Sequence, residues 1–436
     1  MIASLLGFLS LFVLVTLRIP IGFAMIIVGA GGFGILRGWS ASLTLAGNAS
    51  FDTVLSFTLS VIPLFVLMGN LLTLSGVSQS LFTTAHRALY RLKGGLAMAT
   101  IVACGGFSAV CGSSLATAAT MSKVAMPSMR KVGYADDLAT GSIAAGGTLG
   151  ILIPPSVILI VYGLITEVNI GHLFLAGILP GLVGVGFYLA AVAVVVRLRP
   201  GSAPDDDGDF ETSRSDLWGV IAVLALFSTI MIGIYGGFFT PSEAAAVGAG
   251  FAFCIAYFCG VLTIEKILEV GLSTALTTAM IFLLVIGAEI FSNFISFAGL
   301  PDEILTWVTE LDASPYVVML VIALIYVILG TVLESLSMIL LTVPIFFPVV
   351  LSLDFGTGVL SDPDMVAIWF GIVVVVVTEI SLISPPIGLN VFVLRTVLPD
   401  VSISTIFRGV LPFWMADLLR LLLLLSVPQI TLFFLL

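Results

Sequence analysis

Residues 150–156 read Gly-Ile-Leu-Ile-Pro-Pro-Ser, and residues 381–387 read Ser-Leu-Ile-Ser-Pro-Pro-Ile. Each Pro-Pro pair sits in an apolar run long enough to be a helix. A proline there removes one backbone N–H and clashes with the carbonyl four residues earlier. Pro154 and Pro155 are therefore expected to free the carbonyls of Gly150 and Ile151, and Pro385 and Pro386 those of Ser381 and Leu382. A single Pro-Pro reads as a kink, with neighbouring serines bonded in their own turns. The same pair twice, each time after an irregular Gly/Ser-rich segment, points to a repeated architecture with deliberately broken helices.

Outward from the breaks the chain stays apolar: 60% of its 436 residues are hydrophobic and 9% charged, with a mean hydropathy of +1.26. A soluble domain carries roughly 25% charged residues. Apolar runs at 182–196, 217–235, 244–261 and 410–435 can each cross a hydrocarbon layer of about 30 Å. Residues 1–17 lack the basic start and small-residue cleavage site of a secretory signal and read as the first membrane helix. A net charge of −10 gives no footing for nucleic acid. The four cysteines (Cys104, Cys111, Cys254, Cys259) have no C-x-x-C spacing, and with only His86 and His172 beside them neither a transition-metal site nor a disulfide framework is expected.

The fifteen basic residues orient the chain. With the N-terminus outside and helices near 2–17, 20–36 and 53–75, an amphipathic arm at 77–93 brings His86, Arg87, Arg91 and Lys93 to the inner surface. The segment 94–129 starts beside Lys93 and ends beside Arg130 and Lys131, so both ends lie inside and it reads as a re-entrant hairpin turning near Gly112-Ser113-Ser114. A broken helix (136–166) goes out, and a helix at 171–197 returns to Arg197 and Arg199. Residues 200–215 form a cytoplasmic linker. The second half begins with scaffold helices over 216–299, followed by an acidic outer arm (301–312) that includes Asp312. A second hairpin (315–351) enters from outside, and a broken helix (364–395) and a C-terminal helix (410–435) close the chain with its end outside. Twelve basic residues then lie inside and Arg37 outside, while Lys123 and Arg420 fall within membrane segments.

The expected fold is thus an all-α polytopic membrane protein with an inverted-topology repeat, residues 1–199 and 216–436, each half holding one re-entrant hairpin and one Pro-Pro-broken helix. Freed carbonyls at membrane depth need a donor, water or a cation. A desolvated Na⁺ among carbonyl and hydroxyl oxygens meets that need, with Ser113, Ser114, Ser335 and Ser337 at the turns supplying hydroxyls. Helix N-termini at the same turns favour an anion. Thr148 and Ser156 beside the first break, and Glu379 and Asn390 beside the second, are candidate substrate contacts. For Glu379 and Glu334 a coupling role and a bonded structural carboxylate are both open, and for Asn390 a helix–helix hydrogen bond is equally open. Glu243, in Thr-Pro-Ser-Glu, reads as a helix cap. An ion channel would share the hairpins but needs a continuous polar lining that the sequence lacks. An intramembrane hydrolase built on Ser114 and Lys123 has no further support, and no enzyme is expected.

The stretches GGFSAVCGSSLATAA, AAGGTLGILIPPS, TPSEAAAVGAG and EISLISPPIGLN, in this order along the whole chain, resemble the signatures of the large membrane (M, DctM-like) subunit of TRAP (tripartite ATP-independent periplasmic) transporters, of the ion transporter superfamily. The resemblance implies an elevator-type, Na⁺-driven secondary transporter of the bacterial inner membrane. It also implies a small four-helix membrane subunit and a periplasmic substrate-binding protein as partners, and a small organic acid as substrate: a C4-dicarboxylate, keto acid, sialic acid, or a sulfonate or ectoine. No cofactor beyond the coupling Na⁺ is implied. By the same resemblance one Na⁺ site falls on Ser113, Ser114, Gly150, Ile153 and Pro155, and a second on Gly330, Ser335, Ser381, Ser384 and Ile387. Ser384 stands where Thr is common in the family. A transporter of the same superfamily that works without a binding protein is the alternative.

Overall fold

The computed structural model describes residues 2–204, 214–311 and 313–436. Most of the expected linker (205–213), and Asp312 of the outer arm, lie outside the described residues. All regular structure among the described residues is helical. The first half holds α1 (Ile2–Thr16), α2 (Ile21–Arg37), α3 (Trp39–Leu55), α4 (Val61–Leu74), α5 (Val77–Leu89), α6 (Gly95–Cys111), α7 (Ser114–Val132), α8 (Asp136–Thr148), α9 (Val157–Thr166) and α10 (Ile170–Leu198). The second holds α11 (Arg214–Tyr235), α12 (Pro241–Phe258), α13 (Ile264–Phe297), α14 (Leu300–Glu310), α15 (Pro315–Gly330), α16 (Ser335–Leu351), α17 (Pro363–Ile383), α18 (Leu389–Val397), α19 (Ile403–Ser426) and α20 (Gln429–Leu432).

Six of the described helices are long and apolar enough to cross a membrane, or seven when the bent pair α3 and 58–74 counts as one span. The protein is a polytopic membrane protein. Two boundaries differ from the sequence reading. Residues 39–55 form a helix of their own, bent by 58° from the next, where a loop leading into a span at 53–75 was expected. The last long helix begins at Ile403, capped by the Ser402 hydroxyl on the Thr405 N–H at 3.2 Å, and ends at Ser426, where a span of 410–435 was expected.

The halves pass through the same order of elements. In each, a long helix ends at a left-handed glycine, Gly76 (φ 75°) or Gly299 (φ 79°), that opens a short amphipathic helix, α5 or α14. A helix pair follows, α6–α7 or α15–α16, and then a helix interrupted at a Pro-Pro whose peptide bond is cis in both cases. The positive φ at these glycines is a conformation that other residues adopt only at a penalty. Glu243 closes a capping box with Thr240, accepting the Thr240 N–H at 2.8 Å and returning its own N–H to the threonine hydroxyl at 3.3 Å, as the sequence indicated.

Packing separates an inner bundle from an outer frame. α17 is buried along its whole apolar length and is enclosed by α9, α10, α15, α16 and α19. α8 lies against α6, α7 and α19. α8 and α19 meet at Gly141 and Gly409, where any Cβ would collide with the facing backbone, so the two helices approach as closely as backbones allow. The frame of α1–α4 and α11–α13 packs mainly on itself, α13 on α2 and α12 on α4, and leaves apolar side chains such as Leu224, Leu268, Leu272 and Phe258 exposed, as a lipid-facing surface does.

At one end of the bundle, Arg130 in the last turn of α7 binds Asp136 at 2.9 Å and Asp400 at 2.6 Å, and Arg199 binds Asp137 at 3.1 Å. These are residues that the basic-residue count assigned to a single side.

Candidate functional site

The tip of the first helix pair is built by Gly112, whose φ of 62° turns the chain, and by Ser113, whose hydroxyl caps α7 by accepting the Ala116 N–H at 3.4 Å. The tip packs on the first break with backbone against backbone. A Cβ on Gly150 would lie 3.1 Å from the Ser113 carbonyl oxygen and the Ser114 nitrogen, and one on Gly112 would lie 3.1 Å from the Pro155 carbonyl oxygen. The Ser114 hydroxyl donates to the Thr148 carbonyl at 3.3 Å. Ser113, Ser114, Gly150 and Pro155 therefore meet in one place. Ile153 turns its side chain toward Gly181 of α10.

At the second tip, Gly330 lies directly against the Ser381 side chain, where any Cβ would strike the hydroxyl. Glu334 caps α16, accepting from the Ser337 N–H at 3.4 Å and the Ser337 hydroxyl at 3.3 Å, and Ser335 follows in the first turn. Ser384 faces elsewhere, donating to the Ile380 carbonyl at 2.7 Å and accepting from the Trp414 indole N–H at 2.8 Å. Ile387 is half-buried just beyond the exposed Pro385 and Pro386.

The expectation of four open carbonyls is corrected to two. The Ser156 hydroxyl donates to the Ile151 carbonyl at 2.5 Å, and the Ser384 N–H to the Ser381 carbonyl at 3.1 Å. Among the described residues no such local donor answers the carbonyls of Gly150 and Leu382. Short polar side chains next to a broken turn readily take up its acceptors, and the proline rule by itself does not include them.

Both tips open on one cavity of about 320 Å³, lined by Ser113, Ser114, Glu334 and Ser335, and on the frame side by Asn70, Ser273 and Thr277. The N-terminus of α7 lies at its wall, where the helix dipole favours an anion, while the neighbouring N-terminus of α16 is already capped by the Glu334 carboxylate. The three frame residues were not singled out as binding residues in the sequence. A polar residue such as Thr277 in an otherwise apolar helix was the available signal. A second cavity of about 540 Å³ between α3, α9, α13 and α16 includes Asp52, Glu289 and Asn293 but neither tip.

None of the four candidate substrate contacts lines the tip cavity. Ser156 is buried and caps α9 at the Leu159 N–H, 3.3 Å. Thr148 donates to the Ala145 carbonyl at 2.7 Å and shares a hydrogen bond with Tyr188 at 3.0 Å. Asn390 donates to the Ala144 carbonyl at 3.0 Å, joining α18 to α8. Glu379 pairs with Arg420 of α19, both fully buried.

Two helix pairs meeting two broken helices inside a frame define a class of polytopic helical membrane protein. The fold is shared with the YdaH transporter of Alcanivorax borkumensis, at a TM-score of 0.58 over 89% of this chain and 88% of that one, with 16% identity. The family follows from sequence. Residues 8–430 match the model of the tripartite ATP-independent periplasmic transporter, DctM component, and the chain belongs to that family. It is 35% identical to the C4-dicarboxylate TRAP transporter large permease protein of Pseudomonas aeruginosa, over 88% of this chain and 87% of the relative. It is 32% identical to the sialic acid TRAP transporter large permease protein of Vibrio cholerae, over 99% and 97%. These relatives are permeases, and the chain is a transport protein of the inner membrane, not an enzyme.

Proposed function

We propose that this chain is the membrane-transport subunit of a TRAP-type secondary transporter, taking up a small organic acid with Na⁺. The observation that carries the reading is the convergence of both helix-pair tips on one cavity of about 320 Å³, each tip packed on a broken helix. The cavity suits a small solute, and the N-terminus of α7 at its wall suits a carboxylate. The open Gly150 carbonyl, in a residue packed against the Ser113–Ser114 backbone, and the open Leu382 carbonyl, one residue after Ser381, supply oxygen ligands for a desolvated cation. In this reading the helix pairs are re-entrant from opposite faces, the halves are inverted repeats, and both termini lie in the periplasm. The inner bundle moves as an elevator against the frame. A small membrane subunit covers part of the exposed frame, and a periplasmic binding protein delivers the substrate.

The related permeases carry substrates as unlike as C4-dicarboxylates and sialic acid by name, so the acid is assigned by class. The deciding experiment is uptake of radiolabelled succinate, pyruvate or sialic acid into proteoliposomes containing this chain and its small subunit, with the binding protein outside. Accumulation under an inward Na⁺ gradient and none under choline is expected. Equal accumulation under both would overturn the Na⁺ coupling.

A further inference from the structure

Four side chains from three helices form a fully buried charged cluster that the transport reading leaves unused. Tyr188 of α10 donates to Asp417 of α19 at 2.5 Å. Arg420 of α19 lies 2.9 Å from Asp417 and binds Glu379 of α17. Glu379, Asp417 and Arg420 are all 0% exposed. The cluster is built for the guanidinium, because a Cβ on Gly184 of α10 would collide with it, so only glycine leaves the room. One Glu379 oxygen, Asp417 Oδ1, and the Nε and Nη1 atoms of Arg420 have no hydrogen-bond partner among the described residues, so Asp417 and Arg420 meet as an ion pair without a hydrogen bond.

Two features separate this cluster from an ordinary structural ion pair. The first is its composition: two carboxylates face one guanidinium, so the cluster carries an excess negative charge when both are ionised, and that charge is expensive in an apolar interior unless a cation balances it. The second is its position. Thr148 bonds to Tyr188 and is two residues before Gly150, while its carbonyl receives the Ser114 hydroxyl of the first tip. Glu379 is two residues before Ser381, which touches Gly330 of the second tip. Hydrogen bonds and one ion pair thus link Thr148, two residues before the first break's Gly150, through Tyr188, Asp417 and Arg420 to Glu379, two residues before Ser381.

We propose that the Glu379–Arg420–Asp417–Tyr188 cluster is the shared counter-charge of the two cation sites and the positioning element that ties them together. Its excess carboxylate is balanced by monovalent cations bound at the breaks, whose own ligands are neutral carbonyls and hydroxyls. The inference rests on the Na⁺ reading above.

The test uses the full chain with its small subunit in nanodiscs, and follows thermal stability in NaCl against choline chloride at constant ionic strength. Glu379→Gln keeps the shape and an acceptor for Arg420 but removes the excess charge. The Na⁺ concentration for half-maximal stabilisation should rise about tenfold, while the melting temperature in choline holds or rises. Asp417→Asn should move the Na⁺ midpoint the same way. An unchanged midpoint with a lower melting temperature in choline would make the cluster a structural brace and overturn the proposal, as would loss of folding in both variants. A wild type that is indifferent to Na⁺ fails at an earlier point and removes the Na⁺ reading itself.

Discussion

The two Pro-Pro breaks share a sequence and a cis peptide, but they are not in the same surroundings. At the first, Pro154, Pro155 and Ser156 are buried under the tip of their helix pair, with the tip backbone seated on Gly150 and Pro155. At the second, Pro385 and Pro386 are exposed, and the nearest serine hydroxyl is held by Trp414 of α19. The first break is closed by backbone contact, whereas the second meets its neighbours through side chains, Ser381 against Gly330 and Ser384 with Trp414. The same covalent interruption therefore yields a rigid seat in one half and an accessible one in the other, and packing sets the difference.

The largest effect is expected where backbone meets backbone. Gly112→Val places a branched side chain at φ 62° against the Pro155 carbonyl, with a destabilisation of about 3 kcal/mol or more and loss of uptake. Gly388→Val, also at positive φ and with the Ser384 carbonyl oxygen 3.2 Å and the Phe407 ring 3.3 Å from a Cβ, should destabilise to a similar degree in thermal unfolding. A markedly milder effect would extend the contrast between the breaks to the backbone behind them.

Next come the serines. Ser156→Ala strands the buried Ile151 carbonyl and should destabilise by about 1–3 kcal/mol. Ser384→Ala leaves the partly buried Trp414 N–H to find another acceptor and should lose about 1 kcal/mol or less. Paired melting curves check the order.

A smaller change is expected in cation dependence. Ser114→Ala removes the hydroxyl joining tip to break and should raise the Na⁺ concentration for half-maximal uptake roughly fivefold. Ser381→Ala, whose hydroxyl already donates to the Thr378 carbonyl at 2.7 Å, should raise it roughly twofold. Unchanged Na⁺ dependence in both would sink the site assignment.

The smallest effect belongs to Asp400. The Arg130 guanidinium holds its carboxyl below the usual carboxylate range. The pair therefore stabilises the fold above that range and stops doing so as pH falls through the lowered value. Asp400→Asn should lower the melting temperature slightly at pH 7, less so in high salt. The two proteins should converge in acid.

Much of the fold was legible because its decisive residues act locally. Pro-Pro pairs break helices wherever they occur, and left-handed glycines at 76 and 299 mark the same joint in each half. The basic-residue count put Arg130 and Arg199 on one side without naming their partners, and the structure pairs them with Asp136 and Asp137 at one end of the bundle. Residues 39–55 read as a loop because Ser, Thr and Asn dilute their apolar pattern, while packing against α2 and α13 makes them helical. The site was legible only in part. Ser113, Ser114 and Gly150 stand out by composition, but nothing in the sequence marks Glu379 as the partner of a residue 41 positions away. Arg420 in an apolar run announced only that a buried partner must exist.

Arg130 is clasped on both sides, by the start of α8 and by the loop after α18. The root of the first helix pair is thereby clamped like the fixed end of a cantilever. α7 contains Pro127 only three residues before that clamp, where its hydrogen-bond ladder is interrupted. Whatever bending the segment undergoes is concentrated at that notch, and because the tip rests on Gly150 and Pro155, the segment acts as a propped cantilever, held at its root and supported at its far end.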